Sequence, residues 1–129
     1  GHGLACYDYD QDGNIDLLIS NNGKAPTLYR NSGFGADNNF LSVRLRGSRE
    51  NPRGVGARIY LSSGGREQMR ELQLGNNYVS QNPVVAHFGL GTDQTVDSLR
   101  VVWPGLKTRE TRLQNVEANQ FLNIKHPDL

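Results

Sequence analysis

The chain has 129 residues, with 14 Lys and Arg against 13 Asp and Glu, giving a formal charge of +1. That length fits one domain, or one domain plus part of another, and can bury a real core. The near-balanced charge, with no Lys/Arg run and no cluster of stacking aromatics, argues against a nucleic-acid partner. A single cysteine, Cys6, leaves no internal disulfide, and no apolar run approaches the roughly 18 residues that a membrane span needs. The opening "GHG" lacks the layout of a secretory leader and reads either as a tag remnant or as native sequence cut from a longer parent.

The first strand-like run, "LACYDY", leads into "DYDQDGNID", residues 8–16. Asp8, Asp10, Asp12 and Asp16 occupy positions 1, 3, 5 and 9 of that stretch, with Gly13 at position 6. So many like charges repel unless a cation sits among them. Hard oxygen donors at this density suit Ca²⁺, which takes six to eight oxygens, better than Mg²⁺, which keeps its water, or Zn²⁺, which favours His and Cys. Gly13 permits the reversal that lets side chains converge, and the backbone carbonyl of Asn14 is the natural extra ligand. An EF-hand opens the same way but needs a bidentate Glu at position 12, where this chain has Ile19 inside the apolar run "LLIS". The expectation is therefore a loop between two strands, with Asp8, Asp10, Asp12, Asn14 and Asp16 as candidate Ca²⁺ ligands; the alternative is a solvated acidic turn. Because every oxygen comes from one local loop, with little sign of an open position for activating water, the metal's role reads as structural rather than catalytic.

Further along come "IDLLISN", "TLYRN", "FLSVRLRG", "GARIYLSS", "MRELQLG", "VVAHFGLG", "DSLRVVWP" and "QFLNIKH". Their period is two. Val43 and Leu45 share one face while Arg44 and Arg46 share the other, and Leu99, Val101 and Trp103 oppose Arg100 in the same way. The glycines of "SSGG" at 62–65 can take φ > 0 and link two runs, and "PG" at 104–105 stops another. Short strands joined by tight turns, with no stretch that keeps a helical period, predict an all-β sandwich or barrel.

These residues carry a resemblance. "GHGLACYDYDQDGNIDLLISNNG" followed by "PTLYRNSG" resembles an FG-GAP/VCBS-type repeat, the calcium-binding blade unit of integrin-like β-propellers, whose loop pattern D-x-D-x-D-G-x-x-D is matched without a gap. The remainder is similar to the ASPIC/UnbV domain that follows such repeats in secreted acidic proteins of cartilage and in bacterial extracellular proteins. Its markers are "GVGARIYL" (54–61), "GNNYVSQ" (75–81), "HFGLG" (87–91), "VDSLRVVWPG" (96–105) and "NVEANQFLNI" (115–124). The resemblance implies a partial propeller-blade-like β-hairpin unit with a calcium loop at 1–39, followed by an antiparallel β-sandwich at 40–129. It also implies an extracellular location and no established activity. A lone half-blade has open edges that recruit other strands. Three arrangements stay open: blades removed from this chain, packing on its own sandwich, or strand addition from another copy.

The functional expectation is a noncatalytic, calcium-stabilised extracellular module for adhesion, recognition or assembly. Its partners would be other protein chains, copies of itself or extracellular glycans; the alternative is a carbohydrate-binding accessory domain of a secreted enzyme. His87 reads as architectural, and His2 and His126 as exposed. Ser62, Ser63 and Ser80 lack a G-x-S-x-G elbow or a Ser/His/Asp grouping. Trp103 reads as core, though Trp103, Tyr60 and Tyr78, together with Asn76, Asn77 and Gln81, would be the sugar-contacting set. The arginines at 44, 46, 49, 53, 58, 66 and 70 form either a solubilising surface or an attraction for acidic glycans or an acidic partner. Cys6, on the alternating face of Leu4, reads as a small buried thiol. No N-x-S/T sequon occurs, so sequon-directed glycosylation is not expected.

Overall fold

The computed structural model describes residues 1–33, 37–75, 77 and 80–129, and every regular element in them is a β-strand. Among the described residues no helix is long and apolar enough to cross a membrane. Two compact units emerge, residues 1–36 with 74–83 and residues 37–73 with 84–129.

The first unit contains an antiparallel meander in the order β1 (Gly3–Tyr7), β2 (Asp16–Asn21) and β3 (Lys24–Tyr29). Cys6 pairs with Leu17 and Leu17 with Tyr29, so the three side chains share a face. Asn22 and Gly23 join β2 to β3, with Gly23 at φ 72°, a left-handed conformation that glycine adopts without a Cβ clash. The outer edge of β1 is covered by side chains. Ser80 Oγ accepts from Leu4 N–H and donates to Leu4 O, Asn77 Nδ2 donates to Leu4 O, and Asn82 Oδ1 accepts from Cys6 N–H. Polar side chains thereby satisfy edge groups that would otherwise template another strand. Cys6 is half-buried, less enclosed than the small buried thiol expected.

The second unit packs two sheets. One has the order β10 (Gln120–Lys125), β4 (Asn39–Arg46), β7 (Ala86–Gly91); the other has the order β6 (Arg66–Glu71), β5 (Arg58–Ser63), β8 (Thr95–Trp103), β9 (Arg109–Glu117). All pairings are antiparallel except β4 with β10, which run parallel from Leu41↔Gln120 to Arg46↔Lys125. Alternation places Val43, Leu45, Ile59, Leu61, Phe88, Leu99 and Val101 in one apolar cluster, with exposures between 0% and 4%. Each such side chain contributes roughly 1.5–3 kcal/mol. The β5–β6 hairpin turns at Gly64 and Gly65, whose φ values of 53° and 75° match a type I′ turn. The all-β, two-sheet architecture agrees with the sequence pattern.

Two details differ. β6 starts at Arg66, upstream of the "MRELQLG" run, and β9 lies in "RETRLQNVE", which no apolar run announced. β9 is the outermost strand of its sheet, so one of its edges and much of its outer face are wet, and charged residues can dominate it.

Candidate metal centre

β1 ends at Tyr7 and β2 begins at Asp16, and the loop between them folds around its own carboxylates. Asp8 is 3% exposed and Asp16 is 1% exposed. Asp8 Oδ1 accepts from Asp12 N–H at 3.0 Å, and Oδ2 accepts from Gly13 N–H at 2.8 Å. Asp16 Oδ2 accepts from Tyr9 N–H at 3.2 Å, and Oδ1 accepts from Asn31 N–H at 2.7 Å. Gly13 at φ 92° and Gln11 at φ 59° supply the left-handed steps that bend the loop so tightly. Backbone N–H groups thus hold two buried carboxyl groups, and among the described residues no Lys or Arg pairs with either of them.

One carboxylate oxygen each from Asp8, Asp10 and Asp16 lie within 4.8 Å of one another. Such convergence of hard donors fits an oxygen-seeking divalent ion. Asp12 is not in that trio. Its Oδ1 accepts from Asn14 N–H at 2.9 Å and from Asn14 Nδ2 at 3.0 Å, and its Oδ2 accepts from Arg30 at 3.1 Å. The Asn14 amide, with Arg30 adding to it, holds the Asp12 carboxyl below its ordinary 3.8. Asn14, named for its backbone carbonyl, has its side-chain amide turned to Asp12. Of the five residues named from sequence, the structure brings Asp8, Asp10 and Asp16 together and places Asp12 and Asn14 beside them.

Arg30 was missed. Its Nε donates to Asp10 Oδ2 at 2.6 Å, and the hydrogen bond and charge of Asp10 raise the guanidinium pKa above its ordinary value. The signal was there, since Lys24 and Arg30 are the only Lys or Arg in the first 40 residues and Arg30 follows β3 directly. The backbone N–H groups of Tyr9 and Asn31 could not have been found from residue type.

The remaining candidates are placed as follows. Trp103 is 2% exposed, with Nε1 donating to Thr111 Oγ1 at 2.9 Å. This excludes it from a sugar-stacking surface. Tyr60 is half-buried, and the Arg100 guanidinium sits 4.3 Å above its ring centroid. Asn77 and Ser80 are engaged on β1, Gln81 is exposed, and Asn76 and Tyr78 lie outside the described residues. His2 is exposed, and His87 stacks on Phe40 at 5.7 Å with an interplanar angle of 8°. His126 overturns its expected exposure. It is 9% exposed, lies edge-on to Trp103 at 4.9 Å and accepts from Asp128 N–H through Nδ1. The period-2 pattern of Leu122 and Ile124 simply continues one step further, onto the inner face. Ser63 is buried and donates to Asp93 Oδ2 at 3.1 Å.

Comparison with known proteins adds to this geometry. Cartilage acidic protein 1 of Xenopus tropicalis is 33% identical over 130 residues, spanning 98% of this chain and 20% of that protein. The human and mouse proteins of the same name are each 34% identical over 134 residues, again spanning 98% of this chain, with 19% and 20% of their own lengths covered. The chain thus spans about a fifth of the length of the curated relatives it matches. The family model described as ASPIC and UnbV matches residues 47–129, and the chain belongs to that family.

Proposed function

We propose that this chain is a noncatalytic extracellular module whose acidic loop is held by Ca²⁺ and whose β-sandwich serves adhesion, recognition or assembly. The observation that carries the reading is the convergence of Asp8, Asp10 and Asp16 oxygens within 4.8 Å, with Asp8 and Asp16 buried. Bound Ca²⁺ would cancel their mutual repulsion and lock the loop between β1 and β2, with the Asn14 carbonyl as a further ligand. The loop's match to the FG-GAP/VCBS pattern supports the same reading. The name of the relatives gives a tissue, cartilage, and a charge, but no reaction; the extracellular location is carried over from them and from the family resemblance.

Extracellular calcium modules bind with Kd of about 10⁻⁴–10⁻³ M, tuned by ligand charge and rigidity. Isothermal titration should find one Ca²⁺ per chain in that range, with weaker Mg²⁺ uptake. EDTA should lower the melting temperature of the loop-bearing unit. Absence of Ca²⁺ uptake together with melting indifferent to EDTA refutes the calcium reading.

A further inference from the structure

β4 turns Leu45 inward and Arg44 and Arg46 outward. Directly after it, residues 47–55 form a turn tied by its own hydrogen bonds. Gly47 N–H donates to Pro52 O at 2.9 Å, Gly54 N–H donates to Asn51 O at 3.0 Å, and the Asn51 side chain bonds both N–H and C=O of Val55. A Cβ on Gly47 would fall 2.0 Å from Asn51 O, so only glycine fits at that point of the turn. The hydrogen bonds of the turn set Arg53 and Pro52 beside the strand. Arg44, Arg46, Pro52, Arg53, Val84 and Val85 enclose a cleft of about 390 Å³, within the roughly 300–1,000 Å³ typical of ligand clefts.

Among the described residues the lining holds three arginines and no carboxylate. Among the described residues Arg30, Arg58, Arg66, Arg100, Arg109 and Arg112 each pair with a carboxylate, whereas Arg44, Arg46 and Arg53, like Arg49 and Arg70 outside the cleft lining, pair with none. Lys125, opposite Arg46 in the parallel register, adds a further cation without a carboxylate partner. Guanidinium forks match carboxylates bidentately. The partly exposed Val84 and Val85 give an aliphatic floor, and among the described residues no aromatic ring lines the cleft to stack on a sugar.

We propose that this cleft docks an acidic peptide segment of a partner protein, with carboxylates on the rim arginines and one aliphatic side chain against Val84 and Val85. The chain's own acidic loop does not supply such a segment, because Asp8 and Asp16 are buried and Asp10 and Asp12 are held by Arg30. The inference deepens the recognition reading above and does not depend on calcium.

Fluorescence anisotropy of the full chain against a labelled peptide of glutamates and aspartates around a single leucine tests it. Binding should be saturable at 0.05 M salt and weaker at 0.2 M salt. The triple variant Arg44→Gln/Arg46→Gln/Arg53→Gln should weaken it by about tenfold or more. Arg66→Gln/Arg109→Gln/Arg112→Gln, which removes the same charge elsewhere, should leave it within about twofold. Arg53→Gln alone, expected to cost about threefold, keeps the test decisive if the triple variant misfolds. Equal loss in both triple variants would overturn the proposal by reducing it to net charge. Tighter binding of dextran sulfate than of the peptide through the same arginines would overturn it in favour of a glycan site. Self-association abolished by the arginine variants would do so in favour of a second copy. Persistent peptide binding in EDTA separates this inference from the calcium reading, since either can fail alone.

Discussion

In residues 37–73 and 84–129 the interior is mostly apolar, with Phe88, Leu90, Ile59 and Val101 at 0% exposure. Among the described residues of 1–36 and 74–83 the buried side chains are carboxylates, Asp8 and Asp16, while Leu4, Leu17, Leu18 and Leu28 remain 40–46% exposed. The same strand chemistry is stabilised in two ways. Apolar burial holds the sandwich and is indifferent to ions, whereas the meander depends on backbone N–H groups, countercharge and, on our proposal, a divalent ion. Its leucines contribute less than buried ones because much of their surface stays wet.

The largest expected effect strikes the sandwich. Phe88→Ala should cost about 3–5 kcal/mol, read from denaturant unfolding, by leaving a cavity in the closely packed centre. EDTA should not change that loss. If chelation deepened it, the separation between an ion-dependent and an ion-indifferent unit would fail.

Next comes Asp16→Ala. It leaves the N–H groups of Tyr9 and Asn31 without their acceptor, at a cost of about 1–3 kcal/mol for each buried group unsatisfied. Hydrogen exchange should accelerate across β1–β3 and stay protected in Leu61 and Phe88. Loss of Ca²⁺ uptake in the same variant would tie the hydrogen-bonded carboxylate to the metal site.

Legibility in the sequence followed the same division. Alternation alone placed Val43, Leu45, Leu99, Val101 and Trp103 inside and Arg44, Arg46 and Arg100 outward, because burial on one face imposes a period that any reader can count. The "SSGG" hairpin was legible because only glycine adopts both of its φ values freely. The parallel pairing of β4 with β10 was not, since nothing local distinguishes a parallel neighbour from an antiparallel one. Nor was the covering of β1 by Asn77, Ser80 and Asn82, which lie more than 70 positions away. At the acidic loop the residue types and spacing announced the converging carboxylates. The turning of Asp12 to Asn14 and Arg30 is a matter of rotamers, which spacing does not encode.

A smaller change sharpens the electrostatic side of the comparison. Arg30→Gln removes the cation paired with Asp10 and Asp12. Because Arg30 is more than half exposed, its loss should barely change stability with Ca²⁺ present. In EDTA the meander should loosen, and Ca²⁺ affinity should rise a few-fold because the ion no longer competes with a guanidinium for Asp10. Calorimetry that found weaker Ca²⁺ uptake in this variant would show Arg30 as an organiser of the loop rather than a competitor.

The smallest expected effect concerns the outer face of the sandwich. Hydrogen bonds from Arg112 and then Arg100, reinforced by their charges, hold Glu110 below its ordinary 4.5. A carboxyl depressed in the folded state adds stability above its unfolded pKa, and that stability is lost as the pH falls through the folded one. Glu110→Gln should therefore flatten the acid limb of the sandwich's stability below about pH 4.5 and leave neutral pH almost unchanged, since solvent screens so exposed a pair.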